Sequence, residues 1–130
     1  MKRCPSIAAI LALCMSCGPD ETISGYAETS AIYRLESING APAPAFATIS
    51  FPGEGTVSGS GPCNQYQAKQ SAPYPWFELG PIAATRRACP DLAEEQIFFN
   101  VLATMTIAEV SGPFLLLTNE NGDALAFQSD

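Results

Sequence analysis

The chain carries five cysteines and no histidine, and that combination limits its chemistry more than any other feature. Cys4, Cys14 and Cys17 sit close to the start, so only Cys63 in "GSGPCNQYQ" and Cys89 in "TRRACPDL" remain for the rest of the chain. A structural zinc site takes four Cys or His ligands and a catalytic one three plus a water, which two cysteines do not supply. Ser-His-Asp and Cys-His arrangements need an imidazole that this sequence lacks. Cys63 and Cys89 are therefore either partners in a disulfide or free thiols.

The compartment bears on that choice, and the first residues address it. Lys2 and Arg3 form a positive start, and Ile7–Met15 (IAAILALCM) is an apolar run of the length found in secretory signals. A stable membrane span needs about 20 apolar residues, so residues 1–16 read as a signal peptide. The stretch "LCMSCGPDET" looks like a bacterial lipobox, with Cys14 and Ser16 as small residues ahead of the cut. That match implies acylation of Cys17 as the mature N-terminus; ordinary secretion, with Cys17 a spare thiol, is the alternative. Two or more acyl chains anchor stably where one holds only marginally, which makes the membrane itself an expected partner. Gly18 after Cys17 is not an aspartate-type inner-membrane retention signal. The expected location is thus the bacterial cell envelope, as an outer-membrane lipoprotein facing the periplasm.

Disulfides persist in such an oxidising compartment. A structural bridge between Cys63 and Cys89 follows, and closing the loop between them contributes about 3 kcal/mol in the chain-entropy account. The competing reading keeps both as thiols, with Arg86 and Arg87 activating Cys89. Loss of Lys2 and Arg3 leaves Arg34, Lys69, Arg86 and Arg87 against 13 acidic residues. Nucleic acid and anionic lipid headgroups are poor partners for such a surface.

At 130 residues, 47% of them hydrophobic and 15% charged, the chain suits one core. Residues 17–30, small and acidic, read as a lipidated N-terminus with a flexible tether, and 31–130 as the domain. "IYRLESI" (Ile32–Ile38) alternates, with Tyr33 and Leu35 on one side and Arg34 and Glu36 on the other. Asn39-Gly40 is a turn dipeptide, and "AFATISF" (Ala45–Phe51) follows. "TVSGSG" is a glycine-weakened strand where a bulge or close packing of another element is expected. Asn64–Gln70 supplies the next strand, anchored by Tyr66; Pro73-Tyr74-Pro75 interrupts it, and "WFEL" resumes an extended pattern. The single helix is expected over about residues 91–105, opened by Asp91 with Glu94 three positions on. Its apolar stripe is Phe98, Val101, Leu102 and Met105. Strands follow in "TIAEV", "FLLLT" and "ALAF", with Asn121-Gly122 marking a terminal hairpin. The fold class is α+β, mainly β: a compact, antiparallel, barrel-like sheet curled over one helix.

In this order, "YRLESINGAP", "VSGSGPCNQYQ", "LGPIAATRRACP", "LAEEQIFFNVL" and "LLLTNENGDALAF" resemble the META domain family, also called HslJ-like. The resemblance covers Ile32–Phe127. Its most specific pieces are Gly-Pro-Cys63-Asn64 and Thr85-Arg86-Arg87-Ala88-Cys89-Pro90, and Tyr33 stands where the family usually has tryptophan. The resemblance implies a mostly antiparallel β-fold with one helix, frequent in envelope lipoproteins. It further implies stress-related envelope roles in some members, without an established catalytic activity; from the residues themselves, no cofactor or metal is expected.

Glu94 and Glu95 point in different directions on a helix and read as a solvated face. No catalytic residue is assigned. Asn64, Thr85, Arg86 and Arg87 form a candidate binding patch that a Cys63–Cys89 bridge would gather, suited to an acidic peptide, a phosphate or a glycan end. The structural alternative has Asn64 satisfying turn groups, Thr85 ending a strand and the arginines paired with Glu94 or Glu95. Two functional classes result. One is a non-catalytic, lipid-anchored envelope protein that binds or stabilises an unknown envelope protein or ligand. The other is a thiol-active protein using Cys63 and Cys89. Presentation of the stiff Ser71–Trp76 loop to a secreted protease, as an inhibitor, is a third.

Overall fold

A computed structural model describes residues 18–130; the signal-peptide reading of residues 1–16 and the lipid-site reading of Cys17 fall outside the described residues. The elements are β1 (Tyr33–Ile38), β2 (Ala41–Pro42), β3 (Thr48–Gly53), β4 (Thr56–Ser60), β5 (Gln65–Lys69), β6 (Ala83–Ala84), α1 (Leu92–Leu102), β7 (Ile107–Ser111), β8 (Phe114–Thr118) and β9 (Ala124–Ser129). They form one sheet in the order β6-β5-β4-β3-β1-β9-β8-β7, with β2 paired off the path to β1. Every pairing is antiparallel. No helix among the described residues is long and apolar enough to cross a membrane.

Local sequence signals account for most of these elements. In β1 the alternation puts Tyr33 and Leu35 in the core and Arg34 and Glu36 outside. Asn39 and Gly40, at φ of 52° and 81°, make the two-residue loop that pairs Ile38 with Ala41; two successive positive φ values are what Asn-Gly tolerates. Gly59 is bare because the Tyr66 hydroxyl donates to the Thr48 carbonyl at 2.6 Å across it. A side chain there would collide with both groups.

The curl of the sheet can be read from one phenylalanine. Phe98 of α1 meets Tyr66 of β5 edge-on at 5.9 Å and Phe127 of β9 at 6.4 Å. In the strand order, β5 and β9 are four steps apart, about 19 Å in a flat sheet at the usual spacing. Only a strongly wrapped sheet brings both rings to one helix side chain. The wrap stops short of a closed barrel, since β6 and β7 end the path without pairing to each other. Residues 75–80, in the connection from β5 to β6, bridge the gap. Ala108 N–H donates to the Pro75 carbonyl, Phe77 N–H to Thr106 and Gly80 N–H to Lys69, all at 2.8 Å. The "WFEL" stretch is thus extended, though it joins two edges through isolated pairings at Trp76 and Leu79 and forms no strand of its own. Phe77 is buried beneath it.

Helix α1 starts at Leu92 after Asp91, whose side chain makes no capping hydrogen bond. Phe98 and Leu102 enter the core from the helix as expected and Val101 is only partly buried, but the helix ends at Leu102, short of the expected 105, and Met105 is buried from the connection that follows it.

The stretch read as a tether differs from that expectation. The Asp20 carboxylate accepts from Thr22 N–H at 2.8 Å, from the Thr22 hydroxyl and from the Ser24 hydroxyl. This local bonding folds Ile23–Gly25 into a single 3-10 turn and drives Ile23 into the main core. Glu21 C=O then accepts from Tyr74 N–H at 2.7 Å. The folded domain begins at Asp20 and not at residue 31. Its polar composition conceals one buried apolar residue, Ile23, set between Thr22 and Ser24, which both bond the Asp20 carboxylate.

Candidate functional site

The site is assembled around the turn ahead of β5. Gly61 N–H donates to the Asn64 carbonyl at 2.7 Å, closing a tight loop whose next two amides point the same way. Both Cys63 N–H and Asn64 N–H donate to one oxygen, Glu95 Oε2, at 2.7 Å each. Asn64 Nδ2 donates to Glu95 Oε1 at 2.6 Å. Glu95 is only 1% exposed, and three N–H groups compensate its burial in place of a cation. Gly61 makes this approach feasible, because a Cβ there would stand 2.6 Å from Glu95 Oε2.

Asn64 reaches the second segment as well. Its Nδ2 donates to Arg87 C=O at 3.0 Å, and its Oδ1 accepts from the Thr85 hydroxyl at 3.0 Å and from Arg87 N–H at 2.5 Å. Two donations and two acceptances use the full capacity of a carboxamide. Thr85, just after β6, also accepts from Gln65 N–H at 3.2 Å. The Cys63–Cys89 disulfide ties the same two segments covalently, with Cα atoms 5.6 Å apart, well inside bridging range. The four patch residues are therefore brought together, with Asn64 buried at the centre and Thr85, Arg86 and Arg87 exposed around it.

Two sequence expectations are corrected here. Glu95 is not part of a solvated helix face; it is the buried acceptor of the whole arrangement. Nor do Arg86 and Arg87 pair with Glu94 or Glu95. The one ion pair among the described residues is the exposed Arg34–Asp130 contact at 2.7 Å, since the Glu95 carboxylate is turned inward. A signal for Glu95 existed. It precedes Phe98 by three positions and Leu102 by seven, on the stripe that faces the core, so a carboxylate there has to find buried donors.

Beside this pin, the connector leading to β6 and α1 enclose an open cleft of about 730 Å³. Leu79, Ile82, Leu92 and Phe99 give it apolar walls, and Arg86 and Arg87 also line it. Chemically, the sulfurs, the carboxylate and the carboxamide are engaged within the protein. Open to a ligand in the cleft are the exposed Arg86 and Arg87 beside its apolar walls, with exposed Gln96 and Asn100 also lining it.

A disulfide-stapled, mainly β domain of the α+β class, curled on one helix and pinned to it by a buried carboxylate, is the class that fold and site define. The family model described as META domain matches residues 27–130, and the chain belongs to the META domain family. Solved structures show the same fold at low identity. An NMR structure of a protein from Burkholderia xenovorans superposes with a TM-score of 0.64 at 19% identity, covering 100% of this chain and 99% of that one. A crystal structure of a DUF4847 family protein from Bacteroides vulgatus ATCC 8482 gives 0.67 at 14% identity, over 82% and 96% of the two chains. No curated protein matches the chain.

Proposed function

We propose that this META-type protein is a non-catalytic, lipid-anchored protein of the bacterial cell envelope, exported and held by an acylated Cys17 at the periplasmic face of the outer membrane. There it binds or stabilises another envelope component, in keeping with the stress-related roles that the family resemblance suggests. The observation that carries the reading is the consumption of the reactive groups: Cys63 is joined to Cys89, and Glu95 and Asn64 are saturated by internal hydrogen bonds. Arg86 and Arg87 beside the apolar cleft then form the contact surface, and an anionic group on the partner is the chemistry they receive. Affinity capture from native envelopes tests this. Replacing both arginines by glutamate should abolish recovery of the captured component while leaving the thermal midpoint unchanged. Equal recovery would remove the cleft from the function. Thiol titration of the unreduced mature protein separates the thiol-active alternative, which requires a readily alkylated Cys63 or Cys89.

A further inference from the structure

Gly18 and Pro19 are all that stand between Cys17 and Asp20, where the folded domain begins. Three residues of fully extended chain reach about 10 Å at most, so whatever holds Cys17 holds the adjoining surface of the domain as well. That surface is defined by contacts. Tyr74 N–H donates to Glu21 C=O at 2.7 Å, Tyr26 stacks on Tyr74 with ring centres 4.3 Å apart, and Val110 N–H donates to the Tyr74 hydroxyl at 3.0 Å. Two positions on, Trp76 pairs with Ile107 on the edge of the sheet. Tyr26 and Trp76 are each 57% exposed, flanked by exposed Pro73 and Pro75.

We propose that the Tyr26–Tyr74–Trp76 face is a membrane-docking surface, seated in the headgroup layer of a zwitterionic bilayer by the short link to Cys17; this rests on the lipid-anchor reading above. Tryptophan and tyrosine favour that layer because an apolar ring carries a polar tip. Exposed Glu28, which lines the same surface hollow as Tyr26, and exposed Glu21, whose backbone carbonyl accepts from Tyr74 N–H, oppose anionic headgroups, which selects the zwitterionic surface. The short link keeps the face at high local concentration over the lipid, so weak individual contacts suffice. The Ser71–Trp76 loop is then turned to the bilayer and is not presented to a soluble protease.

The test uses the sole tryptophan of the chain as its probe. The mature protein, starting at Cys17 and with Cys63–Cys89 intact, is coupled through Cys17 to a maleimide phospholipid in zwitterionic vesicles. Trp76 emission should shift to shorter wavelength and be quenched by lipids brominated near the headgroup, relative to the soluble protein with Cys17 blocked. A Gly/Ser insert of about 20 residues between Pro19 and Asp20, with a root-mean-square span of about 25 Å, should return emission to the soluble value. Soluble-like emission from the directly coupled protein overturns the proposal, as does an undiminished shift with the long insert. Mass spectrometry of the native N-terminus is read separately. An unacylated Cys17 removes the anchor reading, whereas the vesicle result reports the geometry alone.

Discussion

Glu95 and Asn64 show how little of a site's meaning lies in residue type. Two adjacent glutamates on a helix look interchangeable, yet Glu95 is buried with three N–H donors while Glu94 is partly exposed. The difference is phase on the helix, which was readable, combined with a turn from a distant segment that supplies amides, which was not. Glu95→Gln keeps the shape but turns an amide toward a buried donor, and an unmatched buried donor costs about 1–3 kcal/mol. A lower urea midpoint at unchanged m-value would check it. Tyr66 is the second residue whose environment decides its state. Burial pushes its phenol above the ordinary value of 10.0, so the neutral form that donates to Thr48 is favoured in the fold. The associated stability is fully present below the unfolded pKa and is lost as pH rises beyond it. Tyr66→Phe should lose about 1 kcal/mol at neutral pH and show a shallower alkaline decline in thermal midpoint.

Among the elements, strands and hairpins were the most legible. Alternation located β1, and Asn-Gly placed both the β1–β2 loop and the turn between β8 and β9, where Gly122 has φ of 85°. The N-terminal 3-10 turn was not legible, because a single buried isoleucine in a polar stretch gives no period. Its stability hangs on Asp20. Burial raises that carboxyl, but hydrogen bonds from Ser24 and Thr22 outweigh it and hold the pKa below the ordinary 3.8. A depressed folded pKa contributes stability that is present above pH 3.8 and lost as the pH falls through the lower folded value. Asp20→Ala should therefore release the turn at neutral pH, seen as faster amide hydrogen exchange at Tyr26 and Ala27, whose N–H groups bond the Ile23 carbonyl. The same variant should lose the acid-dependent step in that exchange.

At the scale of the molecule, one covalent bond and one bridging segment hold the curl. Cys63 and Cys89 join the turn before β5 to the approach of α1, and replacing both by alanine should cost about 3 kcal/mol, a large part of the 5–15 kcal/mol typical of a domain. Equilibrium unfolding in urea measures it. The signal-like start, the acidic balance, the strand and helix phases and the choice of cysteines to be paired were all decided by the sequence, because each is local or a matter of counting. The open curl, the role of Glu95, the absence of an ion-pair partner for Arg86 and Arg87 among the described residues and the docking of Ile23–Gly25 were decided only by tertiary structure. Each depends on groups far apart in the chain meeting at hydrogen-bond or van der Waals distance, and no periodicity within a segment encodes which distant donor a buried acceptor will find.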